Sequence, residues 1–139
     1  MSYRITGTGS CIPDIAKKNS DFLKNKFLDT DGGKFQTSNS EIIDKFNSIT
    51  GIYERRYAPD EINCSDLAAV AAGLAINDSK LDQETLDYII VAHNTGDISC
   101  SSGQVDTLPS VASRVKAKLK IKNPNCVAYD IICGCPGWV

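Results

Sequence analysis

The sequence predicts an α/β domain with a largely parallel sheet and flanking helices, because strand and helix patterns alternate along the chain. Two apolar runs, Tyr88 to His93 and Cys126 to Ile132, have the length and composition of buried strands. The segment "TLPSVASRVKAKLKI" between them has helical spacing of its apolar residues. Right-handed crossovers would bring the ends of both strands to one side of the sheet, where open α/β sheets bind their ligands.

Shorter signals predict the elements that precede this core. Residues 3–9, "YRITGTG", are expected to form a first strand with a glycine-rich exit. Ser40 can cap a helix that runs through Phe46, and Gly51 is placed to end it. After this helix, "IYERRY" alternates enough to be a strand or an extended arm.

Two further helix starts are predicted from capping preferences. Ser65 is a natural N-cap for "SDLAAVAAGLAIND", whose small residues would let another element pack closely. Pro109 occupies an N1-type position of the later helix, in which Val111, Val115 and Leu119 share one stripe. Both helices are therefore expected to pack against the predicted strands.

The overall composition is that of an ordinary water-soluble domain and argues against two classes of partner. Lys and Arg number 15 against 17 Asp and Glu, which gives a net charge of −2 and no basic surface for nucleic acid or anionic membranes. No apolar stretch could span a bilayer, and the N-terminus lacks the order of a signal peptide. We expect a cytoplasmic protein, whose six cysteines would be thiols, metal ligands or a catalytic thiolate rather than disulfides.

The final segment, "YDIICGCPGWV", suggests a nucleophilic cysteine. Gly134 and Gly137 permit a tight turn after the strand, and Pro136 suits the first position of a helix. The thiol of Cys135 would then face helix N–H groups, which favour the thiolate and can stabilise an oxyanion. An inert buried thiol is the alternative for Cys135.

Two other interpretations use Cys133 together with Cys135. A metal site would need His93 and Cys100 as further ligands, although the spacing of the two terminal cysteines is shorter than that of structural zinc clips. In a redox pair, Cys133 would be the resolving thiol, although a CxxC spacing is the familiar one. His93 considered alone is more simply a strand-end histidine whose nitrogens are satisfied by hydrogen bonds.

Several ordered motifs resemble the N-terminal part of the β-ketoacyl-acyl-carrier-protein synthase III family, which has a thiolase-like fold. The matching segments are "GTGSCIP", "ITGIYERRY", "LDYIIVAHNTGD", "LPSVASRVKAKLKI" and "AYDIICGCPGW". The last resembles the family's segment around its active cysteine and selects Cys135, with Cys133 as an extra thiol. The resemblance runs along the whole chain and identifies residues 1–139 as the N-terminal half of such a domain.

This resemblance implies an acyltransferase that performs a decarboxylative Claisen condensation in fatty-acid or related biosynthesis. Cys135 would accept an acyl group from a starter thioester, and malonyl-acyl-carrier-protein would then lose carbon dioxide and attack the acyl-cysteine. The implied partners are acyl carrier protein and a starter carried as acyl-CoA or on acyl carrier protein, with no cofactor. Lys45 and Ile49 stand where the family stacks the CoA adenine, so the starter's carrier stays open.

The family's dimer and its downstream residues give three further expectations. Leu108 aligns with the position that reaches into the acyl pocket of the partner in a homodimer, although a local packing role for Leu108 is equally consistent with the sequence. The family's catalytic His and Asn lie downstream of the cysteine, so we expect residues 1–139 alone to be inactive. The loop Asp29 to Asn39 is expected to be an insertion near the donor entrance.

Overall fold

The computed structural model describes residues 3–100 and 102–132 of the chain. It divides into two compact units, which we treat separately. The larger unit is built from residues 1–12 and 60–139, and the smaller unit from residues 13–59. The predicted nucleophile Cys135 and its neighbour Cys133 lie outside the described residues.

The smaller unit combines an antiparallel strand pair with a helix. Strand β1 (Ile15–Lys18) pairs with β2 (Glu54–Tyr57), which confirms the strand predicted in "IYERRY". A 3-10 helix (Asn19–Phe22) follows β1, and helix α1 spans Asn39–Thr50. Phe46 of α1 makes edge-to-face ring contacts with Phe22 and Phe27. The rings are half-buried, whereas Ile42 and Ile43 of the same helix are buried.

Helix α1 confirms the predicted helix but not its predicted cap. Ser38, rather than Ser40, is the N-cap, because its hydroxyl accepts from the Glu41 N–H while the Glu41 carboxylate accepts from the Ser38 N–H. This reciprocal capping box needs an acidic residue three positions after the cap, which Ser40 lacks. Gly51 ends the helix as predicted, in the left-handed conformation with φ of 66°.

The loop before α1 closes on itself through one carboxylate. Asp29 Oδ1 accepts from the N–H groups of Asp31 and Gly33, at 3.0 and 2.8 Å. Gly32 has a φ of 79°, which suits glycine at the turn. The expectation that residues 29–39 are an insertion stays a prediction.

The larger unit contains the predicted α/β core. Helix α2 (Cys64–Ser79) precedes strand β3 (Tyr88–His93), and helix α3 (Val111–Lys118) precedes strand β6 (Val127–Ile132). β3 and β6 are parallel and in register from Tyr88 opposite Val127 to His93 opposite Ile132. The α/β prediction is confirmed, and the carboxyl ends of the two strands lie side by side as expected.

Shorter elements complete the larger unit. A 3-10 helix (Gln83–Thr85) lies between α2 and β3. Two short antiparallel strands, β4 (Asp97–Ile98) and β5 (Val105–Asp106), form a hairpin between β3 and α3. No helix among the described residues has the length and apolar character needed to cross a bilayer.

Both predicted helix starts in the larger unit are shifted. α2 begins at Cys64, and the predicted cap Ser65 lies in its first turn, where its N–H donates to Asp97 Oδ1 at 2.8 Å. α3 is capped by Ser110, whose hydroxyl accepts from the Ser113 N–H, so Pro109 precedes the cap instead of occupying N1. The cap of α2 is Asn63, whose N–H donates to Asp66 Oδ2 at 2.9 Å, so in both helices a local cap other than the predicted one sets the start.

The packed core lies along α3, as its apolar stripe predicts. Val111, Ala112 and Val115 are at most 1% exposed, and Ile121 and Cys126 beyond the helix are also buried. The strands are less covered than predicted, since Tyr88 is 61% exposed and Ile132 59%. α3 packs against β3 and β6, and Tyr88, Val127 and Ile132 stay at least half exposed.

The predicted first strand is wrong, because residues 3–9 form an extended arm without strand pairing. The Thr8 N–H donates to the Asp78 side chain of α2 at 2.9 Å. A Cβ atom added at Gly7 or Gly9 would collide with backbone atoms of α2, which include the carbonyl oxygens of Ala75 and Ala71. The arm therefore lies directly on the helix backbone, an approach that only glycine allows.

Candidate functional site

The candidate site is the carboxyl end of β6, from which the chain continues toward Cys135. Ile132 is the last described residue, and it lies opposite His93, the last residue of β3. Cys135 follows Ile132 by three positions in the sequence. The described residues therefore include the strand end that directly precedes the segment with Cys133 and Cys135.

Asp130 joins β6 to the start of α3. Its Oδ2 accepts from the Val111 N–H and its Oδ1 from the Ala112 N–H, each at 2.8 Å. Oδ2 also accepts from His93 Nε2 at 2.9 Å. The Asp130 side chain is 11% exposed, so this carboxylate is stabilised by protein donors rather than by bulk water.

His93 is satisfied at both ring nitrogens, as predicted for a strand-end histidine. The Gly96 N–H donates to Nδ1 at 2.9 Å, which leaves Nε2 to carry the proton that it donates to Asp130. Gly96 has a φ of 75°, the left-handed conformation that favours glycine at this turn. The His93 side chain is 6% exposed. His93 is thus fixed as one neutral tautomer.

The charge on Asp130 is favoured in the folded protein. Burial acts to raise the pKa of this carboxyl, but the hydrogen bonds from Ala112, His93 and Val111 outweigh burial and lower the pKa below its usual value. The partial positive charge at the start of α3 acts in the same direction. Asp130 is consequently an anionic anchor and not a proton acceptor near neutral pH.

The geometry bears on the metal interpretation of the sequence. Both His93 nitrogens are already engaged, so this residue cannot bind a metal without losing its contact with Gly96 or Asp130. In the described parts of the chain, no three His, Cys, Asp or Glu side chains are grouped to hold a metal ion. The contribution of Cys133 and Cys135 to such a site lies outside the described residues.

Arg114 organises the segment that presents Leu108. Its guanidinium donates to the carbonyl oxygens of Leu108 and Pro109, at 3.0 and 2.9 Å. It also pairs with the nearly buried carboxylate of Asp97 at 3.3 Å and with the exposed carboxylate of Asp106 at 2.9 Å. The Leu108 residue is 82% exposed, so its side chain is not part of the local core.

Three of the four described cysteines are poor candidates for the nucleophile. Burial, together with the carboxylates of Asp97 and Asp130, raises the pKa of the Cys64 thiol at the start of α2. A hydrogen bond with Asp60 raises the pKa of the Cys100 thiol. Cys126 is only 2% exposed. These environments disfavour the reactive thiolate or deny it access to a substrate.

The arginines of β2 are engaged within the smaller unit. Arg56 pairs with Glu54 at 3.0 Å, as expected for a surface charge pair. Arg55 instead donates to Asn19 Oδ1 at 2.6 Å and lies over the rings of Phe22 and Phe46. The two aromatic rings therefore hold the Arg55 guanidinium within the smaller unit.

Sequence reasoning missed the roles of Asp130 and Arg114. A charged residue inside the apolar run "VAYDII" was the available signal for Asp130, since a carboxylate in a strand next to a core needs donors. Those donors are 18 to 37 positions away along the chain. Arg114 offered no comparable signal, because an arginine on a helix is ordinarily exposed to solvent.

Comparison with known proteins links the chain to one family, although no protein-family model matches it. β-Ketoacyl-[acyl-carrier-protein] synthase III 1 of Vibrio cholerae is 34% identical over 139 residues, 100% of this chain and 37% of the relative. The synthase III of Clostridium acetobutylicum is 38% identical over 138 residues, 99% of this chain and 35% of the relative. The chain thus spans a little over a third of these curated relatives.

Solved structures agree with this relationship. The chain superimposes on 3-oxoacyl-[acyl-carrier-protein] synthase III of Aquifex aeolicus with a TM-score of 0.68 and 31% identity, covering 98% of this chain and 36% of that one. The Thermus thermophilus synthase III gives a TM-score of 0.67 and 29% identity, with 98% and 35% covered. The resemblance found in the sequence is confirmed: in sequence and fold, this chain is similar to about a third of the length of β-ketoacyl-acyl-carrier-protein synthase III proteins.

Proposed function

We propose that this chain is the nucleophile-bearing part of an acyltransferase that catalyses decarboxylative Claisen condensation in fatty-acid or related biosynthesis. One observation carries the proposal: the similarity to a synthase III extends over all 139 residues and so includes the segment with Cys135. The alternation of strands and helices before that segment agrees with the family's fold. The proposal assigns Cys135 as the acyl acceptor.

The proposed chemistry divides carbon–carbon bond formation into two stages. The Cys135 thiolate attacks the starter thioester carbonyl, forms a new thioester and releases the thiol of the starter's carrier. Malonyl-acyl-carrier-protein then loses carbon dioxide, and its enolate carbon attacks the acyl-cysteine. The new carbon–carbon bond forms as the Cys135 thiolate leaves, so the cysteine returns to its initial state.

The environments of three of the four described thiols support the choice of Cys135. Cys64 and Cys100 have raised pKa values, and Cys126 is buried, so none of these three offers an activated accessible thiolate. Cys135 follows a strand end in a parallel pair, the position at which α/β sheets bring together chemically active groups. The proposed thiolate would be favoured by N–H groups of the turn or helix after that strand.

We further propose that the active protein is longer than residues 1–139 and that this chain alone has no condensing activity. The relatives are almost three times as long, and the family's catalytic His and Asn lie downstream of its cysteine. The exposed apolar side chains of β3 and β6, among them Tyr88, Val127 and Ile132, are consistent with cover from the missing part. Detectable condensation by residues 1–139 alone would contradict this proposal.

The proposed partners follow from the family's chemistry. Acyl carrier protein would deliver malonate, and the starter would arrive as an acyl-CoA or an acyl-carrier-protein thioester.

We propose a cytoplasmic homodimer in which Leu108 reaches the partner's acyl pocket. The exposure of Leu108 supports this role, since a side chain packed in the local core could not contact a partner. We also propose that residues 29–39 are an insertion that shapes the donor entrance.

Intact mass spectrometry of the full-length protein tests the nucleophile directly. After incubation with acyl-CoA and acyl-carrier-protein donors, wild type should gain the mass of one acyl group. Cys135→Ala should abolish the adduct, because the acyl-accepting sulfur is gone. Cys133→Ala is the matched control, which should still be acylated. An adduct that survives Cys135→Ala but disappears in Cys133→Ala would overturn the assignment.

The same experiment separates the enzyme from a redox or metal module that uses Cys133 and Cys135. A mass deficit of two hydrogens that resists mild reductant would favour a disulfide between them. A bound metal in the native mass spectrum, lost in either cysteine variant, would favour a metal site. Acylation of reduced, metal-free wild type would favour the condensing enzyme.

A further inference from the structure

The hydrogen-bond network around Asp130 connects three elements that meet at the carboxyl end of β6. Asp130 belongs to β6 and holds the first two N–H groups of α3 through Val111 and Ala112. His93 belongs to the end of β3 and is held by the turn at Gly96. One carboxylate and one imidazole therefore set how β3, α3 and β6 are placed relative to one another.

This hydrogen-bond network restrains where Asp130 lies along the strand direction and how its side chain is oriented. Register alone places Ile132 opposite His93 through backbone hydrogen bonds. The carboxylate of Asp130 adds constraints from a different direction, because its three donors come from a helix and a neighbouring strand. A carboxylate with both oxygens engaged has little freedom to rotate. These bonds hold Asp130, two residues before the end of β6, against both α3 and β3.

The chemistry requires such a fixed end. Cys135 follows Asp130 by five positions, so the path to the thiol begins from backbone that this network holds. Nucleophilic attack depends on the distance and angle between sulfur and carbonyl carbon, and a misplacement of about 1 Å can reduce the rate about 100-fold. The groups that touch the substrate would be the thiol and the N–H donors to its oxyanion. The hydrogen bonds of Asp130 would influence the thiol only through the position of β6.

From this geometry, and resting on the proposed function of Cys135, we propose that His93 and Asp130 are positioning residues for the nucleophile. His93 is the more specific member, because it is a buried imidazole with both nitrogens engaged and with no part in the proposed chemistry. Its Nε2 proton orients Asp130, and its Nδ1 fixes the turn that follows β3. Loss of His93 should loosen the end of β6 without removing any group that touches the substrate.

The test uses the full-length protein and two His93 variants. His93→Leu keeps an apolar volume but removes both hydrogen bonds, whereas His93→Gln offers an N–H donor for Asp130 and an oxygen acceptor for Gly96. Single-turnover acylation of Cys135 is followed by quenched-flow mass spectrometry over a series of acyl-donor concentrations. His93→Leu should lower the maximal acylation rate about 10- to 100-fold, with little change in the half-saturating donor concentration. His93→Gln should restore most of the rate.

Val115→Ala controls for a general loss of stability. Val115 is buried on α3 but is not part of the network, so its truncation should lower the unfolding temperature while leaving the acylation rate near wild type. An unchanged acylation rate in His93→Leu would overturn the inference. The inference would also be overturned if Val115→Ala lowered the acylation rate as much as His93→Leu does for the same decrease in unfolding temperature.

The outcomes distinguish this inference from the proposed function. If wild-type protein is not acylated at Cys135, the proposed function fails, and the positioning role fails with it. If wild type is acylated and His93→Leu is acylated equally fast, only the positioning role fails. If His93→Leu does not fold, Asp130→Asn is the second test variant. Its amide NH₂ would face a helix N–H group, donor against donor, and this variant should also lower the maximal acylation rate of Cys135.

Discussion

Helices α2 and α3 are both anchored at their first turn by a distant carboxylate, but the two carboxylates have different counter-groups. Asp97 accepts from the Ser65 N–H of α2 and pairs with Arg114, a permanent cation. Asp130 accepts from two N–H groups of α3 and from neutral His93. The first anchor is therefore an ion pair, whereas the second depends on hydrogen bonds and on the helix N-terminus.

This difference indicates how each anchor responds to the loss of its carboxylate. Arg114 keeps Asp106 and two backbone carbonyls when Asp97 is removed, so its charge stays paired. His93 is buried and has no second acceptor for its Nε2 proton among its described contacts. The Asp130 anchor should therefore be the more costly one to break, because an unsatisfied buried donor loses its full hydration.

The largest expected effect is that of Asp130→Ala. The change leaves the N–H groups of Val111 and Ala112 and the Nε2 proton of His93 without their acceptor. We expect the free energy of unfolding of the full-length protein to fall by about 3 kcal/mol, measured by urea denaturation. A loss no greater than that of Asp97→Ala would contradict the ranking of the two anchors.

Asp97→Ala should have a smaller effect, with a loss of about 2 kcal/mol in the same assay. It removes one acceptor from the start of α2 and one of two carboxylates from Arg114. Asp106→Ala is the matched control, since it removes the exposed partner of the same guanidinium and should cost little. If both variants are equally destabilised, the bond to the Ser65 N–H contributes nothing.

Acid should weaken the Asp130 anchor by less than its truncation, because the protonated side chain still occupies its place. The pKa of Asp130 is lower in the folded protein than in the unfolded chain. Its contribution is therefore complete above the unfolded value, near pH 4, and is lost as the pH falls through the folded pKa. The difference in unfolding free energy between wild type and Asp130→Asn should shrink below about pH 4. A constant difference would show that the charge is irrelevant.

The smallest expected effect concerns the contact between the two helices themselves. Lys118 of α3 donates to Asp66 of α2 at 2.6 Å, and both side chains are partly exposed. Lys118→Met should cost about 0.5 kcal/mol, because solvent and entropy offset most of such a pair. Screening by salt should reduce the difference from wild type further. A salt-independent loss comparable to that of Asp97→Ala would mean that this pair, and not the distant carboxylates, holds the helices.

The sequence was sufficient for the elements of the core and insufficient for their ends. Apolar runs predicted β3 and β6, and periodicity predicted α3, because these patterns report burial directly. Local capping preferences selected Ser40 and Ser65 as caps. Their failure is physical: in each helix an earlier residue has a carboxylate three positions ahead that accepts from its N–H, Glu41 for Ser38 and Asp66 for Asn63.

The candidate site was predictable only in part, because its contacts join residues that are distant in the sequence. The resemblance selected Cys135, and strand order predicted that the ends of both strands would lie on the same side of the sheet, where His93 and Ile132 pair. The contact between His93 and Asp130 spans 37 positions and depends on the parallel register, which pairs the strands only after folding. Residue types alone could indicate that Asp130 needed donors, but not which donors would supply them.

The extended arm on α2 has a consequence for how this part of the molecule can vary. Gly7 and Gly9 contact backbone atoms of the helix, which every amino acid possesses. The side chains of α2 could therefore drift through evolution while the arm keeps its place, provided that they stay small beneath it. The two glycines cannot be substituted in this way, because the Cβ of an alanine at either position would collide with the helix backbone and displace the arm. Selection here would act on the absence of a side chain.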